Sequence, residues 1–162
     1  MGISILLRRV SPDLVAAGAD AVEAGFVATE DDSTYEQEQE CKILCDLEQQ
    51  WQMMDALIAG APHENSSTEY LVVLGGEFLA EVGEPPNSIS FLTTEQVRRA
   101  SHFLQYADVE DLARRNHGAL DRLFGGFPEE FLDEARELFE VLKEFYLLAS
   151  ESEQAVVKRS YA

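Results

Sequence analysis

The sequence predicts a single α+β domain over residues 1–162, in which several helices pack on a small mixed or antiparallel sheet. Two general observations support this class: the length lies near the commonest size of one domain, and a hydrophobic content of 46% is enough to build a core. The third observation is the element order, which runs strand, helices, short strands, helices and strand. That order is not the regular alternation of a doubly wound parallel sheet.

Both ends of the chain predict strands. Residues 2–9 are rich in Ile and Leu, and residues 154–161 contain the run Ala-Val-Val-Lys-Arg-Ser-Tyr. Because chain ends stay ordered only when they are tied down, we expect both strands to join the sheet.

A helix is predicted directly after the first strand. Ser11 and Pro12 open it, because a serine hydroxyl caps free backbone N–H groups and proline suits the first helical position. Gly18 weakens this helix, and we expect Gly25 to end it.

One long helix is predicted from Tyr35 to Ala59, after a polar and acidic loop. Apolar residues recur at spacings of three and four along residues 43–58, which is the pattern of a buried helical stripe. Gly60 is a natural stop for this helix. Cys41 and Cys45 then lie one helical turn apart, in a geometry unsuited to a mutual disulfide, so we expect two reduced thiols.

The second half of the chain alternates short extended segments with helices. The apolar run at residues 70–74 predicts either a buried strand or a short helix. The other predicted elements, in chain order, are a loop at 62–69, a turn at 84–87, a strand at 88–92, a helix opened by Thr93, a helix capped by Asp108, a short helix at 120–124 and a long helix from Pro128 to Ser150.

Charge is the strongest functional signal in the chain. Thirty-one Asp and Glu residues face twelve Lys and Arg residues, which gives a formal net charge of −19. Such a molecule repels nucleic acid and anionic membranes, and it attracts basic partners. The acids concentrate in residues 30–55 and 129–153, on the two long predicted helices. We therefore predict a basic protein partner, and neither a nucleic-acid nor a membrane partner.

This charge pattern predicts a small protein-interaction module, with an inhibitor or immunity-like role as one form of it. The partner-binding residues expected on the two acidic helices are Glu36, Glu40, Glu48, Glu130, Glu134 and Glu137. Two other interpretations of the same acids stay open. They keep the protein soluble in a crowded cytoplasm, or they mimic nucleic acid by presenting carboxylates where phosphates would lie.

The N-terminal sequence does not have the form of a secretion signal. Its apolar run at residues 3–7 is too short, and Arg8 and Arg9 follow that run instead of preceding it. No apolar stretch approaches the roughly 20 residues of a membrane span. We therefore expect a cytoplasmic protein.

A second group of residues predicts a small-molecule site. Trp51 is either a core anchor or the wall of a pocket, with its indole N–H turned to a ligand. Gly75 and Gly76 either form a turn or let a backbone approach a ligand. Asp55 and His102 are the first acid–base candidates near them. The alternative function is therefore a cofactor-independent enzyme or a ligand-binding domain with a pocket near Trp51.

Sequence motifs do not specify a reaction. The paired glycines lack the GxGxxG and GxxxxGK[ST] contexts that bind phosphates, and no GxSxG nucleophile turn is present. His63, His102 and His117 form neither HExxH nor a close ligand pair, so structural or surface roles are expected for them. We predict no cofactor and no metal site, and we assign no catalytic residue.

Several segments occur in the order of a known family. They are the Met-Gly-Ile start, residues 46–60 with a central Trp and a closing Gly, residues 74–76, residues 91–97, and residues 139–149 followed by a Val-Val pair. On these segments the chain resembles the YfbM-like family, small bacterial proteins with a domain of unknown function. The resemblance implies a single α+β domain and no established reaction. Gln52 and Asp55 stand where family members often carry His, and Phe127-Pro128 replaces a Tyr-Pro segment.

Overall fold

The computed structural model describes residues 2–60, 67–126 and 129–161. The elements in chain order are β1 (Ser4–Val10), α1 (Pro12–Ala16), α2 (Ala19–Ala28), α3 (Asp32–Glu40), β2 (Leu44–Glu48), α4 (Trp51–Ile58), α5 (Thr68–Leu71), β3 (Glu77–Val82), β4 (Asn87–Leu92), α6 (Thr94–Tyr106), α7 (Val109–Arg115), α8 (His117–Phe124), α9 (Glu129–Glu151) and β5 (Ala155–Tyr161). His63 and the Phe127-Pro128 segment, with the start predicted for the last helix, lie outside the described residues.

The strands of the described residues form one five-stranded sheet, in the order β2-β1-β5-β4-β3. The terminal strands β1 and β5 pair antiparallel, from Ser4 opposite Tyr161 to Val10 opposite Ala155. On its other side β5 pairs with β4, and β1 pairs with β2. Both predicted terminal strands therefore lie inside the sheet, and the α+β class is confirmed.

The sheet separates two hydrophobic cores, because successive side chains of a strand point to opposite faces. Leu7 of β1 faces the larger core, which α4 to α9 cover with residues such as Phe145. Leu6 faces the smaller core, where Phe26 of α2 is buried. The molecule is thus layered, with the first three helices on one side of the sheet and the later helices on the other.

The long helix predicted over Tyr35–Ala59 is wrong, because this segment forms α3, β2 and α4. Lys42 and Glu48 adopt left-handed backbone conformations, with φ of 57° and 47°. A helix cannot continue through either residue, so Lys42 ends the helical conformation before β2 and Glu48 separates β2 from α4. Leu44 and Leu47 of β2 are buried at the edge of the sheet, whereas α3 buries no residue. The spacing of three and four was therefore produced by a strand followed by a helix.

The two cysteines consequently do not share a helix. Cys41 is exposed at the end of α3, Cys45 is buried in β2, and both are free thiols. Burial raises the pKa of Cys45 to about 12, so this thiol stays protonated at neutral pH and packs as a small apolar group.

The first predicted helix is divided into α1 and α2. Gly18, with φ of 106°, lies between them, and Gly25 lies inside α2 instead of ending it. The predicted start is confirmed, since the side chain of Ser11 accepts a hydrogen bond from the backbone N–H of Asp13. The predicted stop at Gly60 is also confirmed, because Gly60 follows α4 with φ of 71°.

In the second half, the run at residues 70–74 is not a strand: α5 ends at Leu71 and residues 72–74 form a turn. Thr93 caps α6 as predicted and forms a reciprocal capping box with Gln96. The strand β3 was not predicted, because its side chains are exposed or half-buried and give no apolar alternation. None of the helices in the described part of the chain is long and apolar enough to cross a bilayer.

Candidate functional site

A cavity of about 450 Å³ opens between α4 and α8. Small buried residues leave space at its base, an aromatic ring and a carboxylate form part of its walls, and a basic side chain is exposed at its rim. The small buried residues are Ala56, Gly60 and Ala119. The aromatic ring is that of Trp51, the carboxylate is that of Asp55, and the basic side chain is that of Arg122. The structure therefore brings together two of the residues that the sequence predicted for a ligand site.

Trp51 begins α4 and forms one wall of the cavity. Its indole Nε1–H donates to the carbonyl oxygen of Ile3 at 2.7 Å, so the N–H is not turned to a ligand as one interpretation predicted. The half-buried ring also packs against the larger core. Trp51 is thus a core anchor that offers its remaining ring surface to the cavity.

Asp55 lies one helical turn after Trp51 and is only 5% exposed. Lys158 of β5 is buried nearby, and its Nζ donates to the carbonyl oxygens of Leu71 at 2.5 Å and Gly75 at 2.8 Å. Burial lowers the pKa of Lys158 to about 7, and the attraction of Asp55 for the ammonium counteracts that decrease. The carboxylate at the cavity is therefore electrostatically coupled to a lysine in the core.

Gly75 and Gly76 form a tight turn beside the cavity. A Cβ on Gly75 would lie 2.7 Å from the carbonyl oxygen of Tyr70. Gly76 has φ of 127°, and a Cβ there would lie 2.6 Å from the carbonyl oxygen of Phe91. Both positions therefore require glycine for backbone packing. Leu74 lines the cavity, whereas neither glycine does.

The histidines of the described residues lie apart from this cavity. His102 is exposed on α6, lines an open groove that also contains Arg98, and stacks obliquely on Tyr106 with 4.9 Å between ring centroids. His117 is exposed at the start of α8. The structure thus does not bring His102 to Trp51. Within the residues that the structure describes, no three His, Cys, Asp or Glu side chains are grouped to hold a metal ion.

All six glutamates predicted to bind a partner are exposed. They are Glu36 and Glu40 on α3, Glu48 at the end of β2, and Glu130, Glu134 and Glu137 on α9. In the described part of the chain none of these six forms an ion pair, whereas Glu23, Glu38 and Glu110 each pair with an arginine. Their negative charge is therefore not neutralised by a basic side chain of the described residues.

The helices α3 and α9 approach each other at the β2 edge of the sheet. Gln39 of α3 and Lys42, which follows α3, line one cleft of about 220 Å³ together with Val141 of α9. Glu40 adjoins Gln39 in sequence, and Glu137 precedes Val141 by one helical turn, on the same helix face. The two acidic helices therefore border the same cleft.

Sequence reasoning missed a carboxylate that two tyrosines bind near this edge. The hydroxyls of Tyr35 and Tyr161 donate to Asp46 Oδ2 at 2.8 and 3.1 Å. Burial and the adjacent Asp46 carboxylate raise the pKa of Tyr161 to about 12, and they raise the pKa of Tyr35 as well. The three residues tie α3 to the sheet. No sequence signal could have grouped them, because they come from three separate elements.

Lys158 and Arg122 were also missed as members of the site. Lys158 interrupts the apolar run that begins β5 and shares a strand face with Val156, a pattern that could have indicated a buried lysine. Arg122 carries no such signal, because its place at the rim depends on how α8 packs on α4.

Comparisons with known proteins establish the fold and name no reaction. A family model described as a domain of unknown function, DUF1877, matches residues 1–158. The crystal structure of YfbM from Escherichia coli, a protein of unknown function, is similar with a TM-score of 0.64. The similarity covers 98% of this chain and 99% of that chain at 10% sequence identity, so it bears on the fold alone. No curated protein is similar enough to match. The resemblance stated from the sequence is thereby confirmed.

Proposed function

The chain belongs to the DUF1877 family of domains of unknown function, and we propose that it is a protein-interaction module that binds a basic protein. Its acidic helices would cover a positively charged active or nucleic-acid-binding surface, as an inhibitor or immunity protein does. One observation carries the proposal: six exposed glutamates on α3, β2 and α9 have no ion-pair partner among the described residues.

Unpaired surface carboxylates favour association with a basic surface. An acid such as Glu38 already holds Arg8 at 2.9 Å and would have to give up that contact, whereas Glu36 and Glu137 lose none on binding. Each can form a charge-assisted hydrogen bond to a partner's Lys or Arg. The net charge of −19 also speeds the encounter at low salt and makes it sensitive to ionic strength. The cleft shared by α3 and α9 supports a single continuous docking surface.

Two charge variants separate this surface from net charge. The test variant carries E36Q, E40Q, E48Q, E130Q, E134Q and E137Q. The control variant removes six exposed acids from other elements through D20N, E77Q, E81Q, E84Q, E95Q and D121N. Each variant removes six negative charges from the net charge of −19. The two variants therefore have the same net charge and lose it at different places on the surface.

A basic protein is first captured at low salt by the wild-type chain, identified by mass spectrometry and purified. We expect it to bind the control variant with an affinity similar to that for the wild type. The test variant should bind it at least about tenfold more weakly, because several charge-assisted contacts are lost. Equal weakening of both variants would show that net charge alone attracts the partner. Failure of every basic protein to bind the wild type at low ionic strength would refute the proposal.

A second candidate function is supported by the cavity at Trp51. It is the alternative that the sequence predicted, namely cofactor-independent binding or conversion of a small molecule. The volume of about 450 Å³ lies in the range of ligand pockets, and the wall combines an aromatic ring with a buried carboxylate, Asp55. Of the predicted ligand-binding residues, Trp51 and Asp55 line this cavity, while Gly75, Gly76 and His102 lie outside it.

A further inference from the structure

The Trp51 cavity presents its charged groups in a defined order. Arg122 is exposed at the rim, the Trp51 ring forms a wall, and Asp55 is buried deeper, beside Ala56 and Ala119. A cationic group of a ligand is stabilised beside the buried Asp55 carboxylate, because electrostatic interactions are stronger near a protein surface than in bulk water.

We propose that this cavity binds a small organic ammonium compound, with its cationic group directed to Asp55 and its apolar body against Trp51. The inference rests on the second proposed function, ligand binding at Trp51, and it names the chemical class of that ligand.

Trp51 contributes to the preference for a cation. Because its N–H is hydrogen-bonded to Ile3, the ring can offer a ligand only its π face and edges. The face of an indole attracts ammonium groups through its negative electrostatic potential. An anion gains nothing from that face and is repelled by Asp55, so only Arg122 at the rim would attract it.

The overall charge of the protein also favours a cationic ligand. A net charge of −19 raises the local concentration of cations around the cavity. Lys158 balances part of the Asp55 charge from within the core, where two backbone carbonyls fix its ammonium. Lys158 does not line the cavity, so it does not occupy the position that we assign to the ligand.

The fluorescence of Trp51 can report on this cavity, because it is the single tryptophan of the chain. Three probes share a phenethyl body and differ in charge: phenethylamine, phenethyl alcohol and 3-phenylpropanoate. We expect phenethylamine to change the Trp51 emission saturably at constant ionic strength. The alcohol and the carboxylate should bind at least about tenfold more weakly, because each lacks the cation that pairs with Asp55.

Variants locate the binding. Ala119→Leu fills the base of the cavity and removes no charge, so it should weaken phenethylamine binding at least about tenfold, in proportion to the lost space. Asp55→Asn should abolish the preference for the amine over the alcohol. Glu81→Gln removes an exposed acid of β3 that does not line the cavity and should leave the affinity nearly unchanged. Thermal melts identify any variant that fails to fold, and Ala119→Leu keeps the test valid if Asp55→Asn is such a variant.

Each outcome decides a separate point. If none of the three probes changes the Trp51 emission, ligand binding at this cavity is refuted together with the ligand class. If the alcohol or the carboxylate binds as tightly as the amine, the cavity is a ligand site but the ammonium class is wrong. If Ala119→Leu binds the amine as tightly as the wild type, the amine binds elsewhere and the proposal is overturned.

Discussion

At the scale of single residues, three charged groups are satisfied by backbone and hydroxyl groups, whereas Arg8 and Arg159 pair with carboxylates. Lys158 donates to two carbonyl oxygens, and Arg9 donates to the carbonyl oxygens of Lys42 at 2.8 Å and Cys41 at 3.1 Å. Asp46 accepts from two tyrosine hydroxyls. Such hydrogen bonds offset much of the cost of removing a charge from water.

The first residue-scale prediction concerns Lys158→Met and pH. The folded pKa of about 7 lies below the ordinary value of 10.5. Between these values the unfolded chain holds a proton at this site that the folded chain has released. The wild-type free energy of unfolding therefore rises with pH in this window, by up to about 1.4 kcal/mol per pH unit from this site. The variant lacks this contribution.

Urea unfolding of both proteins at about pH 7, 8 and 9 checks this linkage. The stability of the wild type minus that of Lys158→Met should increase at each step, because all other titrating groups are common to the two proteins. Val156→Ala, at a buried position of the same strand, removes no titrating group and serves as a control whose difference from the wild type should stay constant. A constant difference for Lys158→Met as well would contradict the lowered pKa.

At the scale of elements, a segment could be predicted where it carries its own start signal and its own buried stripe. The helix α6 has both, with Thr93 as its cap and Val97 and Leu104 buried along one face. The segment 35–59 could not be predicted, because its apolar spacing continues across the boundaries of α3, β2 and α4. Only the pairing of the strands, which a local pattern does not contain, decides that residues 44–48 are extended.

The same reasoning applies to the candidate site. Trp51 and Asp55 are four residues apart in a helix, so their common face follows from helical geometry. Arg122 and Ala119 reach the cavity only through the packing of α8 on α4. Gly75 and Gly76 form the predicted turn and do not line the cavity, and the backbone contact that requires Gly75 comes from Tyr70.

The element-scale prediction is that Thr93→Ala destabilises the protein by about 1 kcal/mol. The Thr93 hydroxyl accepts from the backbone N–H of Gln96 at 3.2 Å, and the Gln96 side chain accepts from the backbone N–H of Thr93 at 2.9 Å. The substitution removes the first of these bonds and weakens the second. Thr94→Ala, one position later, is the matched control and should change stability by less than about 0.5 kcal/mol. Equal losses in thermal or urea unfolding would show that the capping box does not stabilise α6.

At the scale of the whole molecule, the folded state concentrates a net charge of −19 on a body with few ion pairs among its described residues. Self-repulsion of this kind opposes compaction. The cost is spread over many exposed acids, so it does not show in any one contact. Composition alone could predict this property, whereas the positions of the acids on the surface depend on the fold.

The molecular-scale prediction is that salt stabilises the protein. Raising the ionic strength from about 0.01 M to about 1 M shortens the screening length from roughly 30 Å to roughly 3 Å, so the melting temperature should rise. The variant with six glutamines in place of the glutamates on α3, β2 and α9 should melt higher at low salt and respond less to added salt. Parallel salt curves for the two proteins would mean that the stabilisation does not come from relief of repulsion among these acids.

The position of β5 has a consequence for how the protein is made. This strand lies between β1 and β4 in the sheet, yet it follows every other described element in the chain. A ribosome that has translated as far as Gln154 has produced one strand pair near the start of the chain and another in its middle, with no strand between them. The two halves of the sheet can join only when residues 155–161 have left the exit tunnel, so the nascent chain must stay unaggregated until then.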